Sequence, residues 1–276
     1  MLESHAVRKP AVAGMFYPGD PAVLRRDVDG MLDAVPPRQP GRPIVALIAP
    51  HAGYMYSGGT AARAYARLRG ASYDTVVVVS PSHRDYFEGA SVFPGDAYAT
   101  PLGSIPIDAG LRDALAQSCP LVSVSAHGHR DEHAVEVQLP FLQRALGPFR
   151  LLPVVIGNQQ RSVCFELGER LGTLLKGRSA LLVASTDLSH YHTAREAEIL
   201  DGAFVRLLEQ GDDEGIMGAL EARSTEACGG GPVAAVLRAA RVMGSAGVEV
   251  VGRSTSGDVN GDTQSVVGYL SAVAYA

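Results

Sequence analysis

The stretches Ile44-Val-Ala-Leu-Ile-Ala-Pro-His51, Thr75-Val-Val-Val-Val-Ser-Pro-Ser-His83 and Ala180-Leu-Leu-Val-Ala-Ser-Thr-Asp-Leu-Ser-His190 decide the fold. Each is a short apolar run that breaks into a polar turn carrying a histidine. Runs of this length and composition, rich in Val and Ile, read as strands buried on both sides, as in parallel sheets. Open α/β sheets bind ligands in the crevice at the carboxyl ends of such strands. One histidine there is an ordinary solvated loop residue. Three at equivalent positions point to a metal or proton-transfer site.

Outward from these runs the pattern turns helical. Val23, Leu24, Val28, Met31 and Leu32 form one stripe over 22–34, behind an Asp20-Pro21 start. The Ala-rich stretch 60–68 predicts a helix, as does 132–146, where Val135, Leu139, Leu142 and Leu146 share a face. Further helices are predicted over 162–176, over 194–209 and from Pro232 to about Met243. Leu151 to Ile156, Val248 to Val251 and Val266 to Val273 read as strands. Residues 86–108, interrupted by Pro and Gly, suit short strands or an extended excursion. Pro36, Pro37, Pro40 and Pro43 mark a linker into the first strand. Strand and helix alternate for most of the length, so the expected class is α/β with a central sheet covered on both faces. With 276 residues the chain is expected to form one large domain, 1–276.

Composition narrows the partners. Net charge is −5, lysine occurs only at Lys9 and Lys176, and no basic run appears, so nucleic acid and anionic membrane are poor candidates. No apolar run approaches the roughly 20 residues needed to span a bilayer, and the first residues lack a signal-peptide core. Three cysteines, Cys119, Cys164 and Cys228, are too few and odd in number for a disulfide framework. A cytoplasmic location is expected.

His51 is followed by Ala52-Gly53, small enough for close backbone approach, and by Tyr54 and Tyr56 as hydrogen-bond donors. Cys228 sits in Glu226-Ala-Cys-Gly-Gly-Gly-Pro232, before a predicted helix N-terminus that should favour its thiolate. The three glycines imply a backbone that approaches something closely. Cys119 and Cys164 read as inert packing residues. Two histidines and a cysteine make a facial ligand set: imidazole suits Zn, Cu and Fe, and thiolate shifts preference toward soft or redox-active ions. Asp187 and His190, three apart, would share a face in a helical turn, with the carboxylate orienting the imidazole. In His127-Gly-His129-Arg-Asp131-Glu132-His133-Ala-Val-Glu136, the residues Glu132, His133 and Glu136 fall on neighbouring helix positions opposite the leucine stripe, and one of them, His133 foremost, could complete the site. The rest, His127 and His129 included, reads as a solvated, charged helix start.

Taken in order, Ile48-Ala-Pro-His-Ala-Gly-Tyr54, Ser80-Pro-Ser-His83, Asp131-Glu-His-Ala-Val-Glu136 with Leu139-Pro140, Ser185-Thr-Asp-Leu-Ser-His190 and Ala227-Cys-Gly-Gly-Gly-Pro232 resemble the Memo family, called AmmeMemoRadiSam system protein B in prokaryotes. Pro10-Ala-Val-Ala-Gly-Met-Phe-Tyr-Pro18 and Ser265-Val-Val-Gly-Tyr269 are similar to it as well. The resemblance spans essentially the whole chain. It implies a three-layer α/β/α fold with a mostly parallel or mixed sheet, related to LigB-type class III extradiol dioxygenases. It also implies an iron or copper site at His51, His83 and Cys228, with His190, Asp187 and His133 lining the same pocket. A functional link to radical SAM and AMMECR-type proteins is implied by the family name. The dioxygenases hold Fe(II) with two histidines and a carboxylate, whereas Cys228 fills the third position here, so ring cleavage does not carry over.

Three functions follow as expectations. The first is a redox-metal protein, an oxidoreductase acting with O2 or a small substrate, in which His190 moves protons. The second is a non-catalytic module that binds a peptide or partner through Tyr54, Tyr56, Tyr86 and Tyr191. The third is a zinc hydrolase.

Overall fold

The computed structural model describes residues 6–36 and 41–276; the linker prolines Pro37 and Pro40 and the first five residues lie outside these. Strands run in chain order as β1 (Val7–Arg8), β2 (Ile44–Ala49), β3 (Thr75–Pro81), β4 (Ala90–Val92), β5 (Ala97–Thr100), β6 (Gly103–Pro106), β7 (Val122–Val124), β8 (Arg150–Ile156), β9 (Ala180–Ser185), β10 (His190–His192), β11 (Gly247–Thr255) and β12 (Val266–Tyr275). Helices are α1 (Pro21–Asp33), α2 (Tyr54–Tyr65), α3 (Ala109–Ser118), α4 (Leu139–Ala145), α5 (Arg161–Leu175), α6 (Ala194–Glu209), α7 (Asp213–Glu221), α8 (Gly230–Val242) and α9 (Gly257–Asn260).

A mixed sheet follows the path β10-β12-β2-β9-β3-β8-β4-β7, with β11 also paired to β12. Its centre, β2-β9-β3-β8, is parallel throughout. β12 pairs antiparallel with β2, and β4 antiparallel with β8. A small second sheet, β1-β5-β6, accounts for part of the predicted extended excursion.

Side-chain alternation along the central strands builds three layers. Val77 and Val79 of β3, with Leu182 and Ala184 of β9, enter a core shared with α5 and α8. Val76, Val78, Leu181 and Val183 enter the opposite core, shared with α1, α2 and α4. The buried strand runs were apolar on both faces because both faces are covered.

Helix α1 matches the expected stripe, with Asp20 Oδ1 accepting from Ala22 N and Val23 N at 2.9 Å. Two predictions are corrected. Helix α2 begins at Tyr54 rather than near residue 60. The expected helix over 132–146 is regular only from Leu139 to Ala145, behind a single 3₁₀ turn at Glu136–Gln138. The Glu132 carboxylate accepts from the backbone N–H groups of His133 (2.8 Å) and Ala134 (2.9 Å), which secures a turn that competes with helix there. Pro140 at the head of α4 lacks the N–H that would tie it to a preceding helical turn. Helices α3 and α7 fall in stretches that the apolar pattern did not mark.

Candidate metal centre

The parallel strands end together, and their turns carry the chemistry. β2 runs into Pro50-His51, β3 into Ser82-His83, and β9 through Thr186 and Asp187 toward His190. Cys228 arrives from the other end of the sequence, in the turn that opens α8. Its loop is fastened at both strand ends: Gly229 N–H donates to Thr186 Oγ1 (2.9 Å), and the Gln159 amide donates to the Cys228 carbonyl (2.7 Å) while accepting from Gly231 N–H (2.8 Å). A Cβ on Gly229 would lie 2.2 Å from the Ser185 carbonyl oxygen, so the glycine here is required by close approach.

One ligand atom each from His51, His83 and Cys228 lies within 4.8 Å of the others, and a second such group is His83, Glu132 and His133. Hydrogen bonding fixes which ring nitrogens face this space. The Ser185 hydroxyl lies 2.7 Å from the Ala134 carbonyl, which can only accept, so its proton points there. Its lone pairs then accept from the Gln138 amide (2.8 Å) and from His51 Nδ1–H (2.8 Å). His51 therefore holds its proton on Nδ1 and turns an unprotonated Nε2 toward Cys228 Sγ, 3.1 Å away. The Gln138 amide is itself locked, donating to Pro50 O (3.0 Å) and accepting from Tyr65 Oη (2.7 Å). At the second histidine, Glu132 accepts from His83 N–H (2.5 Å) and from Nδ1 (3.0 Å), which leaves Nε2 of His83 as the free donor atom. Such carboxylate–histidine pairs set ring orientation and raise ligand basicity at metal sites.

The electrostatics follow from burial. His51, only 2% exposed, has its pKa pushed down to about 3 by burial and then by the neighbouring His83, so the ring is neutral at pH 7. His133 is lowered to about 4, again by burial first and then by His51. Burial opposes ionisation of Glu132, but the bonds from His83 overcome it and hold the carboxyl at about 2. Asp187 is raised by burial, against the hydrogen bond that its Oδ1 accepts from His51 N–H at 2.8 Å.

Cys228 corrects an expectation. Before any ion is considered, burial and the nearby Asp187 carboxylate raise the thiol far above its ordinary range, outweighing the helix terminus and the bond from Asp187 N–H (3.2 Å). The thiol proton is thus placed to be donated to His51 Nε2.

Asp187 and His190 also differ from their predicted relation. Residues 186–189 are not helical, and the His190 Nδ1–H donates to the Leu188 carbonyl (2.8 Å) while the Asp187 carboxylate serves His51. His190 shares a cleft with Cys228. His133 does join the cluster: its ring lies 4.8 Å from that of His83 and 5.4 Å from that of His51, centroid to centroid.

The charged stretch 127–136 is largely buried, contrary to the solvated reading, though His127 is exposed as expected. His129 is 1% exposed, bonds to Tyr98 Oη (2.5 Å) and Ser91 Oγ (3.2 Å), and is pushed down to about 3 by burial. Glu136 is fully buried against Arg8 and Tyr17 and accepts from the N–H groups of Ala11 (2.7 Å) and Val12 (3.1 Å). Arg8 also reaches the Glu132 carbonyl, so the N-terminal segment braces the turn that carries Glu132. The tyrosines named for a partner surface do not form one group: Tyr54 is buried, its hydroxyl donating to Val137 O (2.7 Å), while Tyr86 and Tyr191 are exposed. Cys119 and Cys164 are buried and unpaired, as packing residues should be.

Glu132, one of the three residues expected to complete the site, does stand there behind His83, whereas sequence reading missed Ser185, Gln138 and Gln159 as supports. Their role rests on partners far away along the chain, and no local spacing signals it.

The geometry can be set beside known proteins. A family description, "Memo-like protein", matches residues 8–273. A MEMO1 family protein of Methanothermobacter thermautotrophicus is 37% identical over 272 residues, covering 95% of this chain and 98% of that protein. One from Aquifex aeolicus is 38% identical over 268 residues, covering 97% of this chain and 98% of that protein. The solved structure of an uncharacterized protein from Escherichia coli K12 aligns over 84% of this chain and 99% of its own, with a TM-score of 0.49 and 18% identity. Among the described residues no helix is long and apolar enough to cross a membrane. The stretch matched by the family contains every residue of the histidine–cysteine cluster.

Proposed function

The chain belongs to the Memo family, and on that premise we propose that it is a metal-binding protein in which His51, His83 and Cys228 hold one redox-active ion, iron or copper. The observation that carries this reading is the convergence of three ligand atoms within 4.8 Å while the second nitrogen of each imidazole is already engaged, by Ser185 in one case and Glu132 in the other. A preorganised set of two imidazoles and a sulfur fits such an ion, and thiolate favours soft or redox-active metals. An ion bound there would supply one-electron chemistry, making the protein an oxidoreductase acting on a small molecule.

The surrounding groups divide the remaining work. His190, with Nδ1 held by the Leu188 carbonyl, presents Nε2 as the group that takes or gives a proton. Asp187 holds the His51 backbone, and His133 packs against both ligand imidazoles, so these two maintain the geometry. Cys228 must lose its proton to become a ligand, which couples binding to pH.

Elemental analysis of untagged protein purified anaerobically tests the reading, with a Cys228→Ala variant beside it. Iron or copper is expected in the wild type and its loss in the variant. Equal metal content in both would sink the ligand assignment. Zinc together with redox silence would instead mark a hydrolase.

A further inference from the structure

We propose that the cleft beside Cys228 binds a small organic anion, a carboxylate or phosphate ester with an apolar body, and that Arg223 holds its anionic group. The cleft has a volume of about 480 Å³, and its lining includes Leu188, His190, Leu220, Arg223, Glu226 and Cys228. That volume lies within the range of small-molecule sites. The half-buried Leu220 and Ala227 offer apolar surface, and Arg223 brings a permanent charge whose fork matches carboxylate and phosphate. Among the described residues no carboxylate pairs with Arg223, whereas the acidic member of the lining, Glu226, is engaged by His192 at 3.0 Å.

The backbone supplies a second argument. Helix α7 ends in a paired-bond cap: Arg223 N–H donates to Leu220 O (3.0 Å) and Ser224 N–H to Ala219 O (2.9 Å). In that motif the residue at the position of Arg223 turns left-handed, and glycine is its usual occupant. Arg223 has φ +55°. Stability would choose glycine here, and an arginine retained in a strained position on a cleft wall indicates a use for its side chain. Among the described residues one other non-glycine residue has positive φ, Tyr191 at +64°, and it directly follows His190 of the same lining. The two strained positions therefore border one cleft. The inference rests on the proposed metal reading only in taking Cys228 as the end of the cleft where chemistry occurs.

The test is an Arg223→Gly variant, titrated calorimetrically with benzoate, phenyl phosphate and the neutral analogue benzamide. The wild type is expected to bind at least one of the two anions and to bind benzamide more weakly. The variant should lose tenfold or more of the anion affinity while melting at the same or a higher temperature, since glycine relieves the left-handed strain. Absence of saturable anion binding to the wild type, equal affinity in the variant, or a lower melting temperature would each overturn the proposal. Metal content of both proteins separates the two readings: a metal-poor wild type whose anion binding still depends on Arg223 defeats the metal assignment alone.

Discussion

Replacing Glu132 with glutamine is the sharpest probe of the centre, because it keeps shape and removes one acceptor. The carboxylate accepts from His83 N, His83 Nδ1, His133 N and Ala134 N. The amide of glutamine places an NH2 group where an oxygen now sits, so whichever way it turns, at least one buried N–H faces another donor. Glu132 is 2% exposed, which leaves little room for water to compensate. An unpaired buried N–H costs about 1–3 kcal/mol. At the metal, loss of a carboxylate behind a ligand histidine lowers affinity about 10–100-fold, equivalent to about 1.4–2.8 kcal/mol. Chelator competition with iron or copper measures the second effect and denaturant unfolding the first. A variant that matches the wild type in both would refute the claim that Glu132 orients His83.

Two further outcomes are expected. Gly229→Ala should shift the Cys228 turn, since the new Cβ would lie 2.2 Å from Ser185 O and 2.9 Å from Thr186 Cβ; overpacking of this kind costs about 1–3 kcal/mol, and metal content should fall with it, whereas unchanged melting and metal content would show that the turn has slack. Stability should fall on acidification from about pH 6.5: His51, His129 and His133 have folded pKa values of about 3, 3 and 4, so the unfolded chain takes up protons that the folded one refuses, at a cost on the order of 1 kcal/mol per pH unit for each. A melting temperature constant from pH 7 to pH 5 would contradict that burial.

How much of this was legible depends on where each residue finds its partners. The apolar runs before His51, His83 and His190 announced buried parallel strands because each residue's environment is set by its own position in the run. The glycines after Cys228 were legible for a related reason: their need for space shows as an absence of side chains. Segment 132–146 misled because its apolar spacing was sound from Val135 onward, while the carboxylate of Glu132 secured a different turn at its start. Ser185 and Gln138 could not be read at all, since their value lies in the direction of a proton set by a carbonyl and a tyrosine elsewhere in the chain. The thiol of Cys228 was misjudged for the same reason. Helix ends are visible in sequence, whereas the depth of burial beside Asp187 is not.

The place of β12 has a consequence for biogenesis. It follows every other strand in the sequence yet lies inside the sheet, against β2 on one side and against β10 and β11 on the other. While the ribosome is still making the stretch between them, β2 keeps one unpaired hydrogen-bonding edge with an apolar strand behind it. Such an edge is a template for pairing with other chains. Quality control in the cell therefore has its longest exposure at β2, the strand that ends in His51.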